Sequence, residues 1–353
     1  MRVRFDRDRM AAVQETHDRW WRGELDRPLI SITITDAYPE APCAAPALSQ
    51  ENCTDFSYSA EEMIEALDCH LGCREYLGDA FPIVHFSAFG PGSLAAFCGA
   101  KLDNSSGRVW FFPEREMEIE EIHAKYDPEN IYVKRIKDLY RAGLEKWNGA
   151  VMMSMPDLGG VMDVAATLRG SENLLMDLYD APEEVLRLIG EIEIAWYEAY
   201  RDFAEVLKPQ GGYTDWSALL SSKPSYVTQC DFSYMIGNPM FREFVLPTLQ
   251  KDTKLLTNVI YHLDGVGELN HLDDILAIKN LHAIQWQMGA GQKPAEEWVD
   301  VYRRIRDGGK EAWIVGSPES YLKVLNEIHG TPYYVQSMSK DQMDLAQQIL
   351  NAR

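Results

Sequence analysis

Short apolar runs alternate with helical segments along most of this chain, and that alternation constrains the fold more than any single motif. Seven runs follow residue 80: FPIVHFSAF (81–89), GAVMMSMPD (149–157), GGYTDW (211–216), NVIYHLDG (258–265), LHAIQWQMG (281–289), EAWIVGS (311–317) and TPYYVQSM (331–338). The earlier run LISITITD (29–36) makes eight. Helical stretches separate them, among them 171–207 (broken near Pro182), 238–256 and 294–308. Parallel strands need crossover connections of about a dozen residues or more, which helices supply. Eight such units predict an α/β protein, a single (β/α)8 TIM-type barrel with helices outside and its site at the strand C-termini. No internal repeat or linker divides the chain.

Residues 1–80 read as an N-terminal extension packed on a barrel of residues 81–345, with 346–353 as a C-terminal tail. The extension offers one extended run and one strong helix, too little to bury a core of its own. Ser59 precedes Glu62 by three, the capping-box spacing, so that helix should begin just after Ser59.

Charge narrows the partners. Fifty-five acidic residues against 34 basic ones give a formal net charge of −21, a field that repels phosphate backbones and anionic lipid. No run reaches the roughly 18 to 20 apolar residues of a spanning helix, and the opening MRVRFDRDRM lacks the apolar core of a secretory signal. These features point to a cytoplasmic protein whose partners include neither nucleic acid nor membrane. Six cysteines without paired spacing read as reduced thiols, and Cys69 and Cys73 share one helix face.

In a barrel the chemistry gathers where strands stop, so the polar residues there carry the functional expectation. His262 and Asp264 lie two apart at the end of NVIYHLDG and therefore on one strand face. An imidazole beside a carboxylate can bind a divalent metal or act as an acid–base pair; the same two groups could instead only fix a loop. Gln285 and Gln287 flank Trp286 with the same spacing, before Gly289-Ala290-Gly291, which leaves room for a ligand. Tyr213 and Asp215 end GGYTDW, with Trp216 beside them, and Asp231 precedes a helix start where it could also serve as a cap. Gly90-Pro91-Gly92 and Gly159-Gly160 could let backbone approach a ligand. No serine nucleophile elbow, Walker loop, dinucleotide fingerprint or HExxH occurs.

Four segments together carry a family resemblance: ETHDRWWRGELDRPLISITI, FPIVHFSAFGPGSLAAFCGA, DFSYMIGNPMFREFVLP and IYHLDGVGELNHLDDIL. From about residue 15 to 340 the chain resembles the uroporphyrinogen decarboxylase superfamily, nearest its corrinoid-linked methyltransferases and their uncharacterised relatives. The resemblance implies the same barrel. The arginine-rich segment with which the decarboxylases grip propionates is absent, as is their histidine in a glycine-rich loop after the last strand, so porphyrinogen decarboxylation is not expected.

The methyltransferases move a methyl group between a corrinoid carried on a partner protein and a thiol, using zinc bound by a His-x-Cys strand end and a later cysteine. Here His262 stands in the matching place, Asp264 replaces the cysteine, and no cysteine follows Cys230. The resemblance thus implies a harder nitrogen and oxygen site of His262 and Asp264, joined by Asp231 or Gln336, for zinc or another divalent ion. The implied function is a methyltransferase-like enzyme of one-carbon metabolism with a small-molecule substrate and a separate corrinoid protein. A lyase or decarboxylase acting on another substrate, or a barrel that only binds a small molecule or corrinoid partner, are the alternatives. Tyr213, Asp215, Trp216, Gln285, Trp286, Gln287 and Gln336 are the expected substrate contacts; His262, Asp264 and Asp231 the expected catalytic groups.

Overall fold

The computed structural model describes residues 1–39 and 41–352. Its strands are β1 (Leu29–Ile34), β2 (Glu75–Gly78), β3 (Ile83–Val84), β4 (Lys101–Asp103), β5 (Trp110–Phe112), β6 (Met152–Met153), β7 (Ser225–Gln229), β8 (Asn258–Asp264), β9 (Ala283–Gln287), β10 (Glu311–Ile314) and β11 (Tyr333–Met338). Seven form one sheet in the order β2-β1-β11-β10-β9-β8-β7, and only the β1–β2 pairing in it is antiparallel. β3 and β6 form a separate parallel pair, and β4 and β5 an antiparallel hairpin. Helices separate the parallel strands, so the expected α/β class holds. No helix among the described residues is long and apolar enough to cross a membrane.

The backbone ladder is not continuous between β6 and β7, and side chains span that gap. The Tyr226 hydroxyl donates to the Pro156 carbonyl at 2.8 Å and accepts the Leu158 N–H at 2.7 Å. The Met155 N–H reaches the Thr214 carbonyl at 2.8 Å.

The fourth crossover strand differs from the sequence expectation. GGYTDW is not a strand of the sheet: Tyr213 forms an isolated antiparallel bridge with Ser221, and β7 follows at Ser225–Gln229. The Asp215 carboxylate accepts the Val227 N–H at 2.9 Å and the Ser217 N–H at 2.8 Å. A side chain thus substitutes for the neighbouring backbone beside β7. SYVTQ escaped the pattern reading because its polar residues are all buried, so it lacks the long apolar run that marked the other strands.

The first 80 residues do more than pack on the sheet. β1 lies within it, between β2 and β11 in a parallel register of Leu29 to Tyr333. The helix Arg7–Trp21 starts at Asp6, whose carboxylate accepts the Arg9 N–H at 2.8 Å. It carries Trp20 and Trp21 into a cluster with Leu29, Val227, Ile260 and Trp313. Each indole N–H finds a carbonyl, Thr331 for Trp20 and Leu220 for Trp21. The imidazole of His17, wholly buried, bridges the Asp79 carbonyl and the Leu220 N–H.

The capping box forms as the spacing predicts, with Ser59 and Glu62 bonded reciprocally before the helix Ala60–Gly72. Residues 346–351 are no tail: they complete the helix Met343–Asn351, with Ala346 and Ile349 fully buried. The expectation of reduced thiols fails for one pair, because the loop before that capped helix folds back to join Cys43 to Cys69 in a disulfide.

Candidate functional site

Strand parity sets the site. In β8, Val259, Tyr261 and Leu263 are buried toward the helices, so Ile260, His262 and Asp264 share the opposite face. The β8–β9 register places His262 beside Gln285 and Asp264 beside Gln287. Asp231 opens the turn Asp231–Met235, two residues beyond the end of β7. One ligand atom from each of Asp231, His262 and Asp264 lies within 4.8 Å of the other two.

The hydrogen bonds orient the imidazole. Its Nδ1 is bonded to the Gln285 side-chain oxygen, so that nitrogen carries the donated proton. Nε2 then faces the carboxylates, 3.6 Å from an Asp264 oxygen. The Trp216 indole stands edge-to-face against the ring at 5.2 Å, with Trp313 behind it at 5.6 Å. A ligating histidine that is fixed through its other nitrogen is the usual arrangement in metal sites.

A cavity of about 330 Å³ opens over Asp231 and Asp264, walled by Tyr234, Gly265, Met288 and Gly289. Gly265 has φ +86°, and a Cβ there would stand 3.0 Å from the Tyr234 ring. Glycine therefore serves both the backbone turn and the cavity wall.

Burial and charge act together on the titrating groups. Desolvation pulls the His262 pKa down, but the bond to Asp264, the Asp231 charge and Gln285 outweigh it and hold it above the ordinary value. Burial raises Asp231, against the opposing pull of His262. Further back, burial lifts Asp157 to about 7 and, aided by the Asp231 charge, raises Asp163; Glu268 is driven well up by burial and by Asp231 and Asp163. Asp163 and Glu268 escaped the sequence reading because nothing local marks them. Asp163 accepts the Phe232 N–H at 2.8 Å and so fixes the turn that bears Asp231. Glu268 accepts the Tyr261 hydroxyl at 3.3 Å.

Of the expected residues, Asp231, His262, Asp264, Gln285, Gln287 and Trp216 gather here. Trp286 does not: it points to the helical layer, fully buried against Trp298. Gln336 lies two residues from both Tyr334 and Met338, which are buried on the helical side, with Tyr334 stacked on Tyr321, so it shares their face and points away from the site. Tyr213 lines a cleft beside the helix Pro182–Leu207, and Asp215 is a buried backbone acceptor. Gly159 and Gly160 serve packing rather than a ligand. A Cβ on Gly159 would stand 2.6 Å from the Gly92 Cα, and one on Gly160 would collide with the Gln229 carbonyl.

One nitrogen and two carboxylate donors converging from β7 and β8 suit a divalent cation of borderline or hard character, with open positions toward the cavity. The same three groups could also hold and move a proton.

No protein-family model matches the chain, and no curated protein does. Among solved structures, the chain is similar to a methyltransferase from Methanosarcina mazei, with a TM-score of 0.60 and 10% sequence identity, covering 96% of this chain and 98% of the other. The two chains thus share an α/β fold over nearly their whole lengths.

Proposed function

We propose that the protein is a methyltransferase-like enzyme of one-carbon metabolism, built as a closed (β/α)8 barrel, in which Asp231, His262 and Asp264 hold a divalent cation, zinc foremost. The observation that carries this reading is the convergence of those three ligand atoms at the strand C-termini, with Nδ1 of His262 engaged by Gln285. The whole-length likeness to a methyltransferase fold supports the reaction class. Bound there, a divalent cation would lower the pKa of a coordinated acceptor and favour its nucleophilic form.

The chain's own residues supply the rest. Asp231 and Asp264 offset the cation's charge, and Gln285 holds the imidazole in register. Trp216 excludes water from one side of the ring, and the cavity over Asp264 admits a small acceptor. The methyl donor in this reading is a methylated corrinoid on a separate protein. The corrinoid would supply the methyl group with the cobalt–carbon electron pair left on cobalt, and the acceptor heteroatom held in the cavity would bond the methyl carbon and release its proton to solvent. Without thiolate ligands the site suits an acceptor other than the family's thiol, such as an amine or hydroxyl compound.

Metal analysis after expression in supplemented medium tests the site, and turnover of free methylcobalamin against panels of amines, alcohols and thiols tests the reaction. Stoichiometric metal with acceptor-dependent loss of the methyl–cobalt absorbance is the expected result. Protein that neither carries nor takes up a divalent ion would overturn the metal reading. The elevated pKa of His262 beside two carboxylates favours one other reading, acid–base chemistry on a small substrate as in a lyase or decarboxylase. Full turnover by metal-free protein, with a pH limb removed by His262→Ala, would select it.

A further inference from the structure

The helix Pro182–Leu207 exposes an apolar stripe that no other described residue covers. Ile194 is 62% exposed and Leu186 45%, and the neighbouring helix Ser171–Asp180 adds Tyr179 at 74%. Between Leu186 and Ile194, one turn from each, lies Gly190. A Cβ built there meets nothing within 4 Å. Glycine in a helix interior costs about 1 kcal/mol relative to alanine, and no contact among the described residues calls for it at half-buried Gly190. A notch flanked by two exposed aliphatic side chains is what the close approach of a second helix requires.

Charge indicates which helix fits. Arg187 is held by Glu184 and Glu191, and Lys208 by Glu205, whereas Glu183 and Arg201 have no ion-pair partner among the described residues. Arg201 spends a donor only on the Tyr197 carbonyl. Gly190 with Ile194, and Glu183 with Arg201, are both symmetric about Ile192, which itself faces inward and is fully buried. When two copies of the helix run antiparallel about a two-fold axis at that level, each Ile194 therefore meets the partner's notch. Each Arg201 meets the other copy's Glu183, about 13 Å from the axis at 1.5 Å per residue. At a crossing angle of about 20° long side chains still reach at that distance. The stripe also runs into a cleft of about 680 Å³ toward Leu255, which is 57% exposed, so apolar surface continues past the helix itself.

We propose that this face is a homodimer interface, an isologous antiparallel pairing of helix Pro182–Leu207 with its copy, keyed by Ile194 into Gly190 and by Glu183 against Arg201. In such an interface every contact occurs twice, so a single charge reversal sets two pairs of like charges together.

Sedimentation velocity of the full-length protein over a concentration series, with circular dichroism as a check of folding, tests it. Wild type should sediment at twice the chain mass, and Ile194→Glu, a change at an exposed position, should give a folded monomer. Glu183→Arg or Arg201→Glu alone should weaken association by at least about tenfold, and the two together should restore it, because each copy then supplies both reversed charges. Wild type that stays monomeric at tens of micromolar overturns the proposal. A dimer that survives Ile194→Glu does so too, as do folded single reversals that the double variant fails to rescue.

Discussion

Tyr213-Thr214-Asp215 and His262-Leu263-Asp264 carry polar side chains at the same spacing, yet they come to opposite uses. The second lies at the end of a paired strand, so alternation sends both polar groups to the same side and Asp231 meets them there. The first lies in a segment bridged back on itself at Ser221; Tyr213 leaves for an outer cleft, and Asp215 is consumed by two backbone N–H groups. A carboxylate placed two residues from another polar group is therefore a site element only if the backbone beneath it is a strand whose own ladder is complete. Where the ladder is broken, the carboxylate mends it.

The largest expected effect that would break this contrast is on metal binding. His262→Ala should weaken divalent metal affinity by about 100-fold or more, beyond the 10- to 100-fold cost typical of outer-shell changes, with an unchanged circular dichroism spectrum. Metal retained at wild-type affinity would remove His262 from the ligand set. Asp215→Ala should do the reverse. It strands two buried N–H groups, each worth about 1–3 kcal/mol, so denaturant unfolding should show a loss of about 2–4 kcal/mol while the metal affinity of the folded protein stays put. A neutral Asp215→Ala would mean that the backbone beside β7 does not depend on it.

Gln285→Leu should be milder, about tenfold in metal affinity. The imidazole keeps its place against Trp216 but loses the acceptor that fixes its tautomer, and isothermal titration with zinc or cobalt would read the change. The smallest effect concerns pH. Asp157 titrates near 7 in the folded chain instead of at the ordinary 3.8 because it is buried, and Asp215 is raised for the same reason. Between about pH 4 and pH 7 the folded state keeps a proton on Asp157 that the unfolded state has lost, so stability falls as pH rises through that window. His17 opposes this on the acid side: burial lowers its pKa, so the unfolded chain alone takes up a proton below about 6.5. The melting temperature of metal-free protein should therefore fall between about pH 6 and pH 7 and level off above it, with Asp157→Asn flattening that fall. A profile that climbs from pH 6 to pH 7 would contradict the raised titration of buried Asp157.

Much of the fold was legible because apolar alternation reports burial directly. All but one of the parallel strands, the break at Pro182 and the Ser59 cap can be found by period and punctuation. The exception, β7, hides because its polar residues are buried, with the Thr228 hydroxyl donating to the Ile260 carbonyl. The site was legible where strand parity applies, at His262, Asp264, Gln285 and Gln287. It was misread at Trp286 and Gln336, where the parity rule itself excludes them: Trp286 is one residue from Gln285 and Gln287 and so opposite them, and Gln336 is two residues from Tyr334 and Met338 and so on their helical side. Asp163 and Glu268 were beyond reach, since a helix residue and a turn residue acquire their perturbed titration only from groups that folding brings close.

By itself the sequence determined the class of fold, the helix starts and stops, and which strand face carries His262 with Asp264, because these follow from local periods of 3.6 and 2 and from backbone capping. Only the tertiary structure decided that Asp231 joins them and that Asp215 does not. Those outcomes depend on which segments lie side by side, and the geometry of neighbouring strands is set by packing the whole core.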